Sequence, residues 1–119
     1  MTIRDLGGLR AHFVAPEGPP LGSSQNALDL IGATYGQDVD LIVVPAARLH
    51  PDFLVLRTGM AGEFLQKMTN YGLRFAVAGD IASAVGESRP LHDFVTESNR
   101  RGQTLFAADE AELRRLLGR

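Results

Sequence analysis

The 119-residue chain contains no cysteine and no tryptophan. Without cysteine it can form no disulfide and no thiolate metal site, and it has no catalytic thiol. It also lacks an excess of charge of either sign, since 12 basic and 14 acidic side chains leave a formal net charge of −2. That balance provides no basic footprint, so nucleic acid is not an expected partner. No apolar run approaches the ~18 residues of a membrane span, and the opening MTIRDLGGLR is too polar for a secretory leader. Neither G-x-G-x-x-G nor G-x-x-x-x-G-K-[ST] occurs, which removes the dinucleotide and P-loop signatures. What remains is 45% hydrophobic and 22% charged, the composition of a soluble globular protein. A single cytoplasmic domain spanning 1–119 is the expectation, because domains commonly run to about 100–150 residues.

Residues 3–15 carry Ile3, Leu6, Leu9, Phe13 and Val14 around Gly7-Gly8, a hairpin signal, because tight hairpin turns favour positive φ. Pro16 to Ser24 (PEGPPLGSS) reads as a loop. From Gln25 to Tyr35, the residues Ala27, Leu28, Ile31 and Tyr35 fall on one side at helical spacing, with Ser23 or Ser24 as cap and Gly36 as stop. Leu41-Ile42-Val43-Val44 is a continuous apolar run ending at Pro45, suited to a strand covered on both faces. Arg74 to Ala78 and Gln103 to Ala107 are the next strand candidates. Helical segments fall at about Thr58 to Tyr71, Arg89 to Arg100 and Glu110 to Leu117, the last with a capping-box spacing at Asp109 and Glu112. Ile81 to Arg89 reads as a loop. Alternation of strand and helix after a hairpin predicts an α/β fold with a mixed, mainly parallel sheet flanked by helices.

The segment Thr58 to Tyr71 is the most informative. Met60, Ala61, Phe64, Leu65 and Met68 form one apolar stripe, while Gly59, Gly62, Glu63, Gln66, Lys67 and Asn70 gather opposite. Glu63 and Lys67 have the favoured order for an i,i+4 ion pair, worth about 0.2–0.5 kcal/mol. A solvated face would need nothing more. Gly62 resists that reading, since glycine in an exposed helical face costs about 0.8–1 kcal/mol relative to alanine. It makes sense where another backbone or a ligand comes close, most simply the same helix of a second subunit. The G-x-x-G spacing of Gly59 and Gly62 lacks the basic residues of an RNA-binding loop and is rejected as one.

Other polar residues carry two readings each. Arg57 and Thr58 stand at a helix start, where free amides and the dipole favour an anion; Thr58 also suits a plain cap. Asp80 follows a strand at its carboxyl end, where open α/β sheets bind ligands, or it caps the next turn. Ser98 shares a face with Leu91, Phe94 and Val95, so it is expected inward, bonded to the carbonyl one turn back. Glu97 and Asn99 flank it and either reach the crevice of Asp80 or finish the helix before Gly102. His12, His50 and His92 are widely separated and show no ligand spacing, so no metal or cofactor is expected.

The order hairpin, helix, strand, helix, strand, helix, strand, helix resembles the STAS fold of sulphate transporters and anti-sigma-factor antagonists, and TLFAADEAELRRLL resembles its last strand and helix. More specifically, ALDLIG (27–32), RLHPDFLVLRTG (48–59), LRTGMAGEFLQKMTNYG (56–72), AVAGD (76–80) and LHDFVTESN (91–99) are similar to a small bacterial family of domains without assigned function. In antagonist-type STAS domains a phosphorylated serine sits near the start of the helix matching 58–71. The resemblance puts Thr58 at that place, although HPDFLVLRTG lacks the acidic-Ser-Ser-Gly phrase.

Two functional expectations follow. The first is a non-enzymatic regulatory or interaction module, self-associating as a dimer through the face of Gly62, Glu63, Gln66 and Asn70. The second is a sensor of a small anionic ligand, or a small enzyme, using Arg57, Lys67, Tyr71, Asp80 and Glu97, with a cation holding the anion and a carboxylate as acid or base. A pocket joining Arg57, Asp80 and Glu97 would favour the second.

Overall fold

Gly7 and Gly8, at φ +57° and +88°, turn the chain back on itself between β1 (Thr2–Leu6) and β2 (Leu9–Phe13), which pair antiparallel with Leu6 opposite Leu9. The computed structural model describes residues 2–118. After the hairpin the chain alternates α1 (Ser24–Thr34), β3 (Leu41–Pro45), α2 (Met60–Asn70), β4 (Arg74–Ala78), a short α3 (Ala82–Glu87), α4 (Arg89–Arg101), β5 (Thr104–Ala107) and α5 (Glu110–Leu116). The sheet order is β1-β2-β3-β4-β5, and every pair after the first is parallel, with Ile42 opposite Phe75 and Val77 opposite Phe106. This is the mixed, mainly parallel α/β sheet expected from the alternation of elements.

Strand periodicity divides the core. Ile42, Val44, Phe75, Val77 and Phe106 point to one face, where Ala27 and Ile31 of α1 and Ala61, Phe64 and Met68 of α2 cover them. Leu41, Val43, Ala76, Leu105 and Ala107 point to the other, under Leu113 and Leu117 at the end of the chain. The run Leu41–Val44 is therefore buried on both sides, as its lack of alternation requires. Phe53, Phe64 and Phe75 pack as a triangle, with centroids 5.4, 5.0 and 6.4 Å apart.

Several boundaries differ from expectation. The chain from Ala46 to Thr58 climbs away from β3 through three 3-10 turns (Ala46–Arg48, Pro51–Leu54, Leu56–Thr58), so α2 begins only after Gly59, at Met60 where its apolar stripe starts, and not at about Thr58. The segment Ile81 to Arg89 is not a loop but contains α3, whose first turn is held by Asp80 Oδ1 accepting from Ala82 N at 2.9 Å. Ser23 caps α1 in a reciprocal box with Asn26. Asp109 caps α5 by accepting from Glu112 N, while the Glu112 carboxylate accepts from Ala108 N and not from Asp109 N.

One ion pair ties the sheet edge to the last helix. Arg4 of β1 donates both guanidinium ends to Glu110 of α5 at 2.6 and 2.9 Å, and lies 3.8 Å from the Phe13 ring centroid. The Arg4 hydrogen bonds hold the Glu110 carboxyl at about 2, far below its ordinary 4.5. A carboxyl depressed on folding stabilises above its unfolded pKa and loses that contribution as pH falls through the folded one. Thermal melts from pH 5 down to 2 are therefore expected to show a loss that Glu110→Gln lacks. Above pH 5 the variant should melt lower than the unmodified chain, and near pH 2 the two should converge.

Candidate functional site

Two surfaces gather the polar residues singled out above. On the first, Gly62, Glu63, Gln66 and Asn70 are exposed along the outer side of α2, opposite buried Ala61, Phe64 and Met68. A Cβ built on Gly62 meets nothing within 4 Å, so nothing inside this chain requires glycine there. The expected Glu63–Lys67 pair does not form among the described residues; the hydrogen bond on this face is Gln66 Nε2 to Asn70 Oδ1, at 2.9 Å. Helices α4 and α5 behave differently. Arg89 pairs with Asp93, Glu97 with Arg100 and Arg101, Glu110 with Arg114 and Glu112 with Arg115. The outer side of α2 thus presents an unpaired carboxylate and Lys67, the chain's only lysine, also unpaired.

At the carboxyl end of the same helix layer, Tyr71 is 61% exposed and Tyr35 is 87% exposed, the two large apolar side chains left in solvent among the described residues. Both rim a shallow hollow of about 220 Å³ with Val39 and Leu73. The periodicity that placed Tyr35 with the inward residues of α1 stops one residue short of it. The helix ends at Thr34, and Tyr35 at φ −59°, ψ 131° swings its ring outward. Sequence reasoning missed this pairing of tyrosines, and only the end of α1 could have signalled it.

The second surface lies at the carboxyl ends of β3 and β4. Gly79 at φ +148° follows β4, and a Cβ there would stand 2.6 Å from Ala46 Cβ, so the two loops touch at this point. Beyond it they diverge, the 3-10 turns on one side and α3 on the other. The cleft between them comprises two open hollows of about 520 and 600 Å³ that share Leu54 and Ala84. Asp80 lines the first, and Arg57 and Glu87 line the second.

The other predicted site residues serve the fold. The Thr58 hydroxyl donates to the carbonyls of Val55 and Asp52 (2.8 and 3.0 Å) and accepts from Met60 N (3.2 Å), so it joins the last 3-10 turn to α2. Gly59 forms the left-handed link between them. Glu97 lines neither hollow. It lies seven residues beyond Pro90 on α4, about 10 Å farther along the axis at 1.5 Å per residue, and is held by Arg100 and Arg101 at 2.6 and 2.9 Å. The Arg100 and Arg101 hydrogen bonds lower its carboxyl pKa. Asn99 does not reach the crevice of Asp80 either. It accepts from Phe106 N at 2.7 Å and donates to Phe106 O at 3.1 Å, which satisfies the open edge of β5. Ser98 is half-buried and makes no bond to the carbonyl one turn back; its own carbonyl accepts from Gly102 N. The arrangement Arg57–Asp80–Glu97 is therefore not assembled.

The histidines stand apart. His12 is buried on β2 with Nδ1 unbonded, and burial pushes its pKa down. His50 Nδ1 accepts from Asp52 N, and His92 is exposed beside Asp93. Among the described residues no three His, Asp or Glu side chains converge as metal ligands, and no helix is long and apolar enough to cross a membrane.

A family model described as a domain of unknown function (DUF4180) matches residues 7–117. No curated protein and no solved structure matches.

Proposed function

From the premise that the chain belongs to the DUF4180 family of domains of unknown function, we propose that it works as a protein-interaction module that self-associates through the outer side of α2. The observation that carries this is the pair Glu63 and Lys67. They have ideal spacing for each other and both are left unpaired, Lys67 half-buried, while Gly62, the residue before Glu63, has open space around it farther round the helix. A two-fold axis crossing α2 near Leu65 sets Glu63 of each copy against the partner's Lys67, twice, in a self-complementary contact. The same antiparallel register carries Tyr71, with its exposed ring, towards the partner's Gly59. Gly62 lets the backbones approach. Exposed ion pairs are worth at most about 1 kcal/mol each, so the charges select register and the buried tyrosine and glycine surface supplies affinity. The element order shared with the STAS resemblance supports a regulatory role for such a module, by analogy of fold alone.

Charge reversal tests the register. Lys67→Glu places four carboxylates at the contact and is expected to weaken self-association at least about tenfold, or 1.4 kcal/mol, in sedimentation equilibrium. Adding Glu63→Lys restores complementarity and should return the affinity to within about threefold of the unmodified chain. Reversal without effect, or a double variant that stays dissociated, would overturn this register.

A further inference from the structure

Nine of the ten described arginines have their guanidinium groups bonded. Arg4, Arg89, Arg100, Arg101, Arg114 and Arg115 bond carboxylates. Arg10, Arg48 and Arg74 donate to backbone carbonyls. Arg57 alone among them has no partner, and it lines the second hollow, which adjoins the one at the carboxyl ends of β3 and β4 through Leu54 and Ala84. Glu87 lines the same hollow, is also unpartnered, and does not pair with Arg57. Apolar side chains make much of the remaining wall, Leu54, Val55 and Leu56 from the 3-10 turns and Ile81 and Ala84 from the α3 side, with Ser83 and Ser88 among them.

We propose that this cleft binds a small zwitterion with an apolar body, the chemistry of an apolar amino acid. Arg57 takes its carboxylate, Glu87 takes its ammonium, and the side chain lies along Leu54 and Ala84. A guanidinium presents a planar fork that matches a carboxylate bidentately. A guanidinium and a carboxylate that face one hollow without meeting are complementary to a ligand that carries both charges. Asp80 does not compete for the ammonium to the same degree, because Oδ1 is already engaged by Ala82 N. Each hollow, at about 520 and 600 Å³, is of the size that small-molecule sites take, roughly 300–1,000 Å³. The adjoining hollow, reached past Leu54 and Ala84, lies outside the carboxyl ends of β3 and β4, where parallel sheets generally bind ligands. Gly79 belongs to this design, since a side chain there would drive the two loops apart at the floor of the cleft.

The test is an amide-resolved NMR titration of the full chain with the apolar L-amino acids, with isovalerate as a carboxylate-only probe and isoamylamine as an ammonium-only probe. The expected result is saturable shifts at Leu54, Arg57, Ala84 and Glu87 with at least one amino acid. Each half-probe should bind at least about tenfold more weakly than the best amino acid. Arg57→Gln and Glu87→Gln should each weaken that binding at least about tenfold while the spectrum stays dispersed, because neither side chain bonds anything in the fold. No saturable shift with any amino acid, shifts centred elsewhere, or a half-probe that binds as well as the amino acid would overturn the assignment. Gly62→Trp should bind as the unmodified chain does, which keeps this result separate from self-association.

Discussion

Phe64→Ala is expected to lower the unfolding free energy by about 3–5 kcal/mol. Phe64 is fully buried in the inward stripe of α2 and touches both Phe53 and Phe75 edge-on, at 5.4 and 5.0 Å between centroids. Truncation removes the transfer energy of the ring and leaves a cavity that the sheet cannot close. It also removes two aromatic contacts, each worth about 0.5–1.5 kcal/mol beyond area. The ring of Phe53 reaches this triangle from the 3-10 turns, so the same change loosens the wall of the cleft. Urea unfolding followed by circular dichroism reads the loss as a shift in midpoint at nearly constant slope. A loss below about 1 kcal/mol would mean that α2 does not sit on the sheet through this ring.

Gly62→Trp is expected to have the second largest effect, on association and not on folding. A Cβ at Gly62 meets nothing within the chain, so a larger residue costs the isolated fold nothing through packing. Gly62→Ala should even raise its stability by about 0.8–1 kcal/mol, the usual helical penalty of glycine. At a two-fold contact centred near Leu65, an indole on each copy holds the helices apart and separates Glu63 from the partner's Lys67. The expected loss is at least about 2 kcal/mol, near 30-fold in dissociation constant.

Much of this architecture is legible in the residues, and the exceptions have physical reasons. The unalternating run Leu41–Val44 announces a strand buried on both faces, and the stripe Met60 to Met68 announces which side of α2 meets the sheet. The alternation of such segments implies the parallel order. Other features depend on contacts far apart in sequence. Six-residue α3 has no apolar periodicity of its own; the Asp80 bond at its start and its packing on α4 hold it. Nothing in NRRGQTLF shows that Asn99 will complete the edge of β5 seven residues later. The solitude of Arg57 emerges only when the partners of nine other arginines are known. Glu63 and Lys67 illustrate the opposite case, where local spacing predicted a bond that the fold leaves unmade.

Sedimentation equilibrium of the unmodified chain beside Gly62→Trp decides whether α2 forms an interface between two copies. The unmodified chain should sediment at twice the mass of a single chain and dissociate on dilution, while Gly62→Trp, with an unchanged circular dichroism spectrum, should sediment at the single-chain mass at the same concentrations. An unmodified chain that is monomeric at every concentration, or a Gly62→Trp variant that remains a dimer, would contradict it.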